Sequence, residues 1–356
     1  SRDLFEGLII INHNGEMEAR VAERWESNED FTQWRFTLKD GLKWSNGEPL
    51  TAYDFEYAWQ RLADPATGSP YESYLQYAHI ENIDAIIASE LPAEKLGVKA
   101  LDALTLQVSL SESVPYLPKL LAHTAMAPLP KSVIETHGNS WTLPENFVGN
   151  GAYKLKEWRV NEYILLERNR EYWDDENTII DEVTFLPIAS EVTEAQRYRA
   201  GEVDITASMP VELFKKLQEE IPDEIKVSPY LCTYYYGINN SRTPFTDRRV
   251  REALKLALDQ NVLTNKVKAQ GDTPAYSFTP PYISGLEAQV PEWFNWSMEK
   301  RSERAKALLK EAGYDENNPL EITLLYNTSD LHKKMAIAAT SLFNQNAGVK
   351  MRLDNR

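Results

Sequence analysis

Two cations and a run of tyrosines are the side chains in this chain best suited to holding a ligand. His332 sits in SDLHKK, at the start of a helical stretch, beside two lysines. A residue there has two roles open to it. It can be an exposed first-turn histidine, or it can join the free N–H groups of that turn in holding a carboxylate. Lys268, in NKVKAQG, has the same alternatives: a solvated amine or an anion contact. Tyr71, Tyr74 and Tyr77 recur every third residue in SPYESYLQY and could line one helical face, with helix packing the default role. Residues 231–240 read LCTYYYGINN, three consecutive tyrosines just after the only cysteine, Cys232. In an extended strand Tyr234 and Tyr236 point to one face, and Thr233 and Tyr235 to the other. Such a run is not a wall of three rings.

Other chemistries lack their residues. The five histidines, His13, His79, His123, His137 and His332, are scattered, with no H-x-x-x-H or H-E-x-x-H pair, which argues against a zinc centre. A single cysteine excludes a disulfide within the chain. GNGAYK (149–154) begins like a dinucleotide fingerprint but lacks the third glycine and leads into strand-like sequence. Neither a G-x-x-x-x-G-K-[ST] phosphate loop nor a G-x-S-x-G nucleophile elbow occurs. WDDEN (173–177) reads as a solvated loop. No cofactor or metal is expected. A formal net charge of −16 argues against nucleic acid and against an anionic membrane surface. No run of 18 apolar residues marks a transmembrane helix, and no signal peptide is seen. At 356 residues the chain is too long for one ordinary core, so two or more domains are expected.

The positioning elements follow from periodicity. WRFTL (34–38) alternates as a half-buried strand, SNGEP turns, and Thr51 with Asp54 caps an amphipathic helix through Phe55, Ala58, Trp59 and Leu62. DALTLQVSLSES (102–113) is a second strand. VPYLPKLLAHTAMAPLP holds a short helix between proline stops. Residues 151–169 and 181–189 supply three further strands. EVTEAQRYRAGEVDIT predicts a helix ended by Gly201 and then a strand, PVELFKKLQEEIP a helix, and IKVSPYLCTYYYGINN extended chain. From 246, Val250, Leu254, Ala257, Leu258 and Leu263 fall near helical spacing, with Thr246 or Asp247 as cap. A second long helix covers 297–314, ending at Gly313, and a third follows the cap Ser329. LEITLLYN and VKMRLD flank that third helix as strands, so a parallel or mixed sheet with helical cover is expected. SRDLFEGLII at one end and VKMRLDNR at the other look like the edges of a fragment.

Taken in order, these blocks resemble a family. VAERWESNEDFTQWRFTLKDGLKWSNGEPLTAYDFEYAWQRL is similar to the signature region of extracytoplasmic solute-binding proteins of the peptide/nickel class, which serve ABC importers. GNGAYKLKEW, LERNREYW, INNSRTPFTDRRVREALKLALD and AKALLKEAGY agree, and the match covers essentially the whole chain. SPYESYLQY, SPYLCTYYY and LLYNTSDLHKK look like its oligopeptide-binding members. The resemblance implies an α/β, two-lobed periplasmic-binding-protein-like fold of type II with three structural domains, truncated here at both ends. Residues 1–5 and 131–231 would form a discontinuous first domain, 6–130 an inserted second, and 232–356 a third that lacks its C-terminal part. It implies a periplasmic monomer, exported with its signal peptide removed, that captures short peptides and delivers them to a membrane permease without catalysis. Carried over position by position, Tyr71 and Tyr235 resemble cleft tyrosines, and Lys268 and His332 resemble cations that meet the peptide carboxylate. Cys232 matches a cysteine that the family pairs with a later one, absent from this chain. Gly237 and the short DITASMP segment depart from the family pattern and bear on side-chain preference. Murein-peptide binding is the alternative within the family. Outside it stand a non-peptide solute such as nickel, haem or sugar, and a hydrolase.

Overall fold

The alternation in QWRFTL is realised as a strand that buries Trp34, Phe36 and Leu38 on one face. The computed structural model describes residues 2–228, 230–280, 283 and 290–356. Ser1, at the head of the expected 1–5 segment, and Pro229, inside SPYLCTYYY, lie outside the described residues. The contacts divide the chain into two units, Ser1–Pro187 and Ile188–Arg356.

In the first unit β1 (Ile9–Ile11) pairs antiparallel with β2 (Met17–Ala19). An antiparallel sheet follows, with β3 (Ala22–Ser27), β4 (Gln33–Leu38), β5 (Val98–Ala100) and β6 (Thr105–Ser109) in the order β3-β4-β6-β5. Helix α1 (Ala52–Ala63) packs on β5 and β6. Its start is fixed as expected: Asp54 Oδ2 accepts from the Thr51 backbone N–H at 2.8 Å and from the Thr51 hydroxyl at 3.0 Å. Phe55, Ala58, Trp59 and Leu62 are all buried. Each large one contributes roughly 2 kcal/mol by leaving water. The Trp59 indole N–H also reaches Met126 O at 3.0 Å, so no donor is stranded. Four short helices, α2 (Ser73–Tyr77), α3 (Ile83–Ile87), α4 (Leu117–Leu120) and α5 (Lys131–His137), complete this core. An antiparallel sheet of β7 (Tyr153–Arg159), β8 (Tyr163–Arg168) and β9 (Glu182–Phe185) ends the unit.

The chain entering this unit is tied to its far end. Gly151 N–H donates to Leu4 O at 3.0 Å, and Asn150 exchanges both amide bonds with Glu6, Oδ1 accepting at 3.0 Å and Nδ2 donating at 2.9 Å. A Cβ on Gly149 would lie 2.2 Å from Leu4 O, and one on Gly151 2.3 Å from Asp3 O. GNG is therefore a close backbone crossing rather than a nucleotide loop. The Glu6 side chain, in a residue only 8% exposed, accepts from Arg20 Nε at 2.7 Å, Tyr172 OH at 2.8 Å and Trp173 Nε1 at 2.6 Å. Burial opposes the Arg20 charge, yet Glu6, with Tyr172 and Glu18, outweighs it and raises the guanidinium pKa. Burial, then Glu6, pushes the Tyr172 phenol up. Lys39 sits 3.4 Å from the Trp173 ring centroid. The WDDEN stretch is a surface turn, as expected, with added contacts: Trp173 serves the buried acid, and Asp175 pairs with Arg168 and Arg170.

In the second unit α6 (Glu191–Arg199) and α7 (Val211–Glu220) form as expected. No ladder partner lies beside 203–206 or the tyrosine run among the described residues, so neither segment is a sheet strand. A strand needs a neighbour to take its backbone bonds. Helix α8 (Arg248–Ala257), capped by Asp247, stops earlier than the apolar spacing predicts. Leu258 is extended, and Asp259 Oδ1 then caps a new start, α9 (Gln260–Val262), which runs into a π turn, Leu263–Lys268. Helix α10 (Met298–Glu311) is capped by Ser297 and α11 (Asp330–Ala347) by Ser329. Strands β10 (Glu321–Tyr326) and β11 (Lys350–Asn355) flank α11 and pair in parallel, a βαβ unit of the expected kind. Val250, Leu254, Leu308, Leu309, Ala339 and Phe343 build the core shared by α8, α10 and α11.

Two outcomes follow for the first unit. Glu6→Ala strands three donors in a buried pocket and should cost about 3 kcal/mol in urea unfolding; a loss below about 1 kcal/mol would contradict the node. His123 stacks on Tyr74 with ring centroids 4.3 Å apart, and burial, then Arg2, holds its imidazole below 6.5. Its neutral form is favoured in the fold, so the unfolded chain binds more protons as pH falls below 6.5. The melting temperature should drop on acidification through that range, and His123→Gln should flatten part of the drop.

Candidate functional site

The element that carries Lys268 is placed by a buried cation. Arg301, 3% exposed in the first turn of α10, donates to Leu256 O at 3.1 Å, Leu258 O at 2.5 Å and Gln260 Oε1 at 3.2 Å. Asn346 takes Ala257 O at 2.8 Å. The carbonyls left open where α8 ends are thus capped by side chains from α10 and α11. Burial lowers the Arg301 guanidinium, with Asp259 opposing. The guanidinium lies 4.5 Å from the Trp293 ring centroid, which replaces lost water with a π face. Directed by this anchor, the π turn packs against α11, and Lys268 closes it. The Lys268 amine pairs with Asp272 at 2.6 Å.

His332 lies in the first turn of α11, where its own N–H is capped by the Ser329 hydroxyl at 3.4 Å. Its Nδ1 bonds to Asn327 Oδ1, so Nδ1 carries the ring proton there, and among the described residues Nε2 has no hydrogen-bond partner. Two residues on, Lys334 is paired with Glu212 of α7. The alternation expected of the tyrosine run is present without a sheet. The Tyr234 and Tyr236 rings meet edge-on at 5.7 Å, and Tyr236 packs on the α8–α10–α11 core. Burial raises both phenols. Tyr235 turns away, 62% exposed, and meets the 70% exposed Phe278 at 5.1 Å. The ring against His332 is that of Tyr234, at 5.4 Å, a neighbour the sequence did not single out. Cys232 is exposed with a free thiol.

Tyr71 belongs to the first unit. It precedes α2 rather than sharing its face, its N–H held by the Ser69 hydroxyl at 3.2 Å. The exposed Tyr71 ring lies 5.3 Å from His123, so Tyr71 and Tyr74 enclose one imidazole. His123 Nδ1 accepts from Ala125 N–H at 3.1 Å. That histidine lines a cavity of about 300 Å³ with Arg2, Asp3, Arg20 and Tyr172. Sequence spacing carries no signal for it, since His123 stands some fifty residues from the tyrosines it touches. Within the second unit the structure brings together the elements bearing Lys268 and His332, and it seats the tyrosine run on the same core. Cations and exposed rings of this kind suit a carboxylate and apolar side chains. Among the described residues no group of three or more His, Cys, Asp or Glu side chains could hold a metal.

Known proteins share this fold. Residues 16–356 match the family described as bacterial extracellular solute-binding proteins, family 5 Middle. Over 357 aligned residues the chain is 60% identical to the periplasmic oligopeptide-binding protein OppA of Salmonella typhimurium, covering 100% of this chain and 66% of that protein. The crystal structure of Haemophilus influenzae OppA in complex with RPPGFSPFR superposes with a TM-score of 0.94 at 44% identity, over 100% of this chain and 70% of that one. The Escherichia coli murein tripeptide binding protein MppA gives 0.96 at 44% identity, over 100% and 69%. The chain spans 66% of the length of the curated oligopeptide-binding relatives it matches. These matches bear out the α/β periplasmic-binding-protein-like fold expected from the sequence. The chain belongs to the bacterial extracellular solute-binding proteins, family 5.

Proposed function

We propose that this protein captures short peptides in the periplasm and delivers them to the permease of an ABC-type importer, without catalysis and as a monomer. The observation that carries the reading is the 60% identity, across the whole chain, to a protein named for binding oligopeptides in the periplasm. Capture proceeds by hinge closure of two lobes on the ligand. Affinity comes mainly from backbone hydrogen bonds and charged termini, which every peptide shares, and hydrated pockets accept varied side chains. Tyr71 and Tyr235 offer rings to the peptide, and Lys268 and His332 meet its C-terminal carboxylate at different peptide lengths. The exposure of both tyrosines supports their role, and with Nδ1 turned to Asn327 Oδ1 a protonated His332 ring would present Nε2–H to the carboxylate. We further assign 1–5 and 131–231 to one domain, 6–130 to an inserted second and 232–356 to a third. The bonds from Gly151 N–H to Leu4 O and from Tyr153 N–H to Asp3 O support the first grouping.

A murein peptide is the second candidate ligand, favoured by the 0.96 superposition on a murein tripeptide binding protein. Calorimetry of the intact protein with tri- to pentapeptides should give heat and a saturable isotherm. No heat with any length would overturn peptide capture, and displacement of tri-alanine by a murein tripeptide at lower concentration would shift the reading to murein. His332→Ala should weaken one peptide length by about tenfold and spare the others. Equal loss at every length would contradict its role at the carboxylate.

A further inference from the structure

The Lys268 amine already has a carboxylate. Asp272 Oδ1 lies 2.6 Å from Nζ, and both side chains are about one-third exposed. The two residues stand four apart, the spacing at which helical neighbours pair, yet no helix joins them. The π turn ends at Lys268, and Ala269 (φ 50°) and Gly271 (φ 97°) are both left-handed. The reversal between them is held on each side. Ala269 N–H bonds back to Thr264 O at 2.7 Å, and Gln270 Nε2 reaches Met209 O at 2.7 Å. An alanine in the left-handed region costs about 1 kcal/mol, so the fold sustains some strain to bring Asp272 over the amine.

We propose that Asp272 is a specificity-determining residue: it occupies Lys268 as an internal stand-in for a ligand carboxylate and must be displaced when one binds there. The inference rests on the reading of Lys268 as a carboxylate contact. A partly exposed ion pair is worth at most about 1 kcal/mol, so a peptide terminus can break it. Because the pair occupies Lys268 before any ligand arrives, binding there exchanges one carboxylate for another. The net gain is smaller than a bare lysine would give. Peptides whose terminus falls at Lys268 are thereby held less tightly, and the spread of affinities across lengths narrows.

The test is calorimetry of the intact protein with tri-, tetra- and penta-alanine, each as the free acid and as the C-terminal amide. Lys268→Ala should weaken the one free-acid length whose terminus reaches it. Asp272→Asn should strengthen binding of that same length about threefold to fivefold and leave its amide unchanged. If Lys268→Ala changes no length, the carboxylate role of Lys268 falls and the competition with it. If Lys268→Ala acts but Asp272→Asn leaves affinity unchanged or lowers it, the competitor role alone is overturned. A gain shared by the amides would also overturn it, since it would reflect general charge. Asp272→Ser serves as a second variant, and a melting curve for each confirms that the fold is intact.

Discussion

A carboxylate placed almost out of water has to be supplied with donors by the protein, and Glu6 receives them from Arg20, Tyr172 and Trp173. These partners come from chain segments more than 150 residues apart. Between them lie the four-stranded sheet and α1 to α5. The node is therefore the place where the chain leaves for that sheet and where it returns. The backbone of Glu6 is also spoken for, through Asn150. A polar cluster of this kind adds little net stability over an apolar one, but its bonds join residue 6 to the segments at 20 and 172–173. Register, more than energy, is what it supplies to the first unit.

The second unit solves a related difficulty at the end of α8. Its last carbonyls would be open, because Leu258 leaves the helix without a glycine to turn the chain. Arg301 and Asn346 reach in from α10 and α11 to cover them. The consequence is that three helices share one polar junction as well as one apolar core. From that junction the π turn sets out, so the position of Lys268 is decided by residues that never touch it. A π turn carries one extra residue per repeat relative to the α-helix, a form often met at functional places.

Much of this was legible in the sequence. The alternation in WRFTL, the Thr51–Asp54 cap, the helices at 297–314 and after Ser329, and the βαβ unit all rest on local pattern, which chain neighbours decide. The end of α8 was not legible, since the apolar spacing runs on through Leu263 while the stop is made by Arg301, far along the chain. β1, β2 and β5 are three residues each, too short for alternation to show. The strand expected after Gly201 failed for want of a neighbour, a tertiary matter. At the site, Tyr235 alternates with its neighbours as expected, and the helical start at His332 is as the cap predicted. Tyr234 against His332, the His123 sandwich and the Asp272 pair depend on folding and leave no mark in spacing. WDDEN lies on the surface as expected, while the bond from its tryptophan to a buried acid at residue 6 leaves no mark in the spacing.

Asn150 and Gly151 also bear on how this protein ages. Asparagine followed by glycine is the dipeptide most open to deamidation, in which the glycine nitrogen attacks the side-chain carbonyl. At 150–151 the amide is pinned to Glu6 by two hydrogen bonds, in a residue 4% exposed, and the Gly151 N–H is bound to Leu4 O. The attacking and attacked groups are both held where they are. The same dipeptide at Asn14–Gly15 and at Asn46–Gly47 lies on exposed turns. Chemical wear therefore falls on surface turns, away from that crossing. Inside, where aspartate would set an anion against the Glu6 carbonyl and loosen the crossing of the two chain segments, the fold that needs the amide also preserves it.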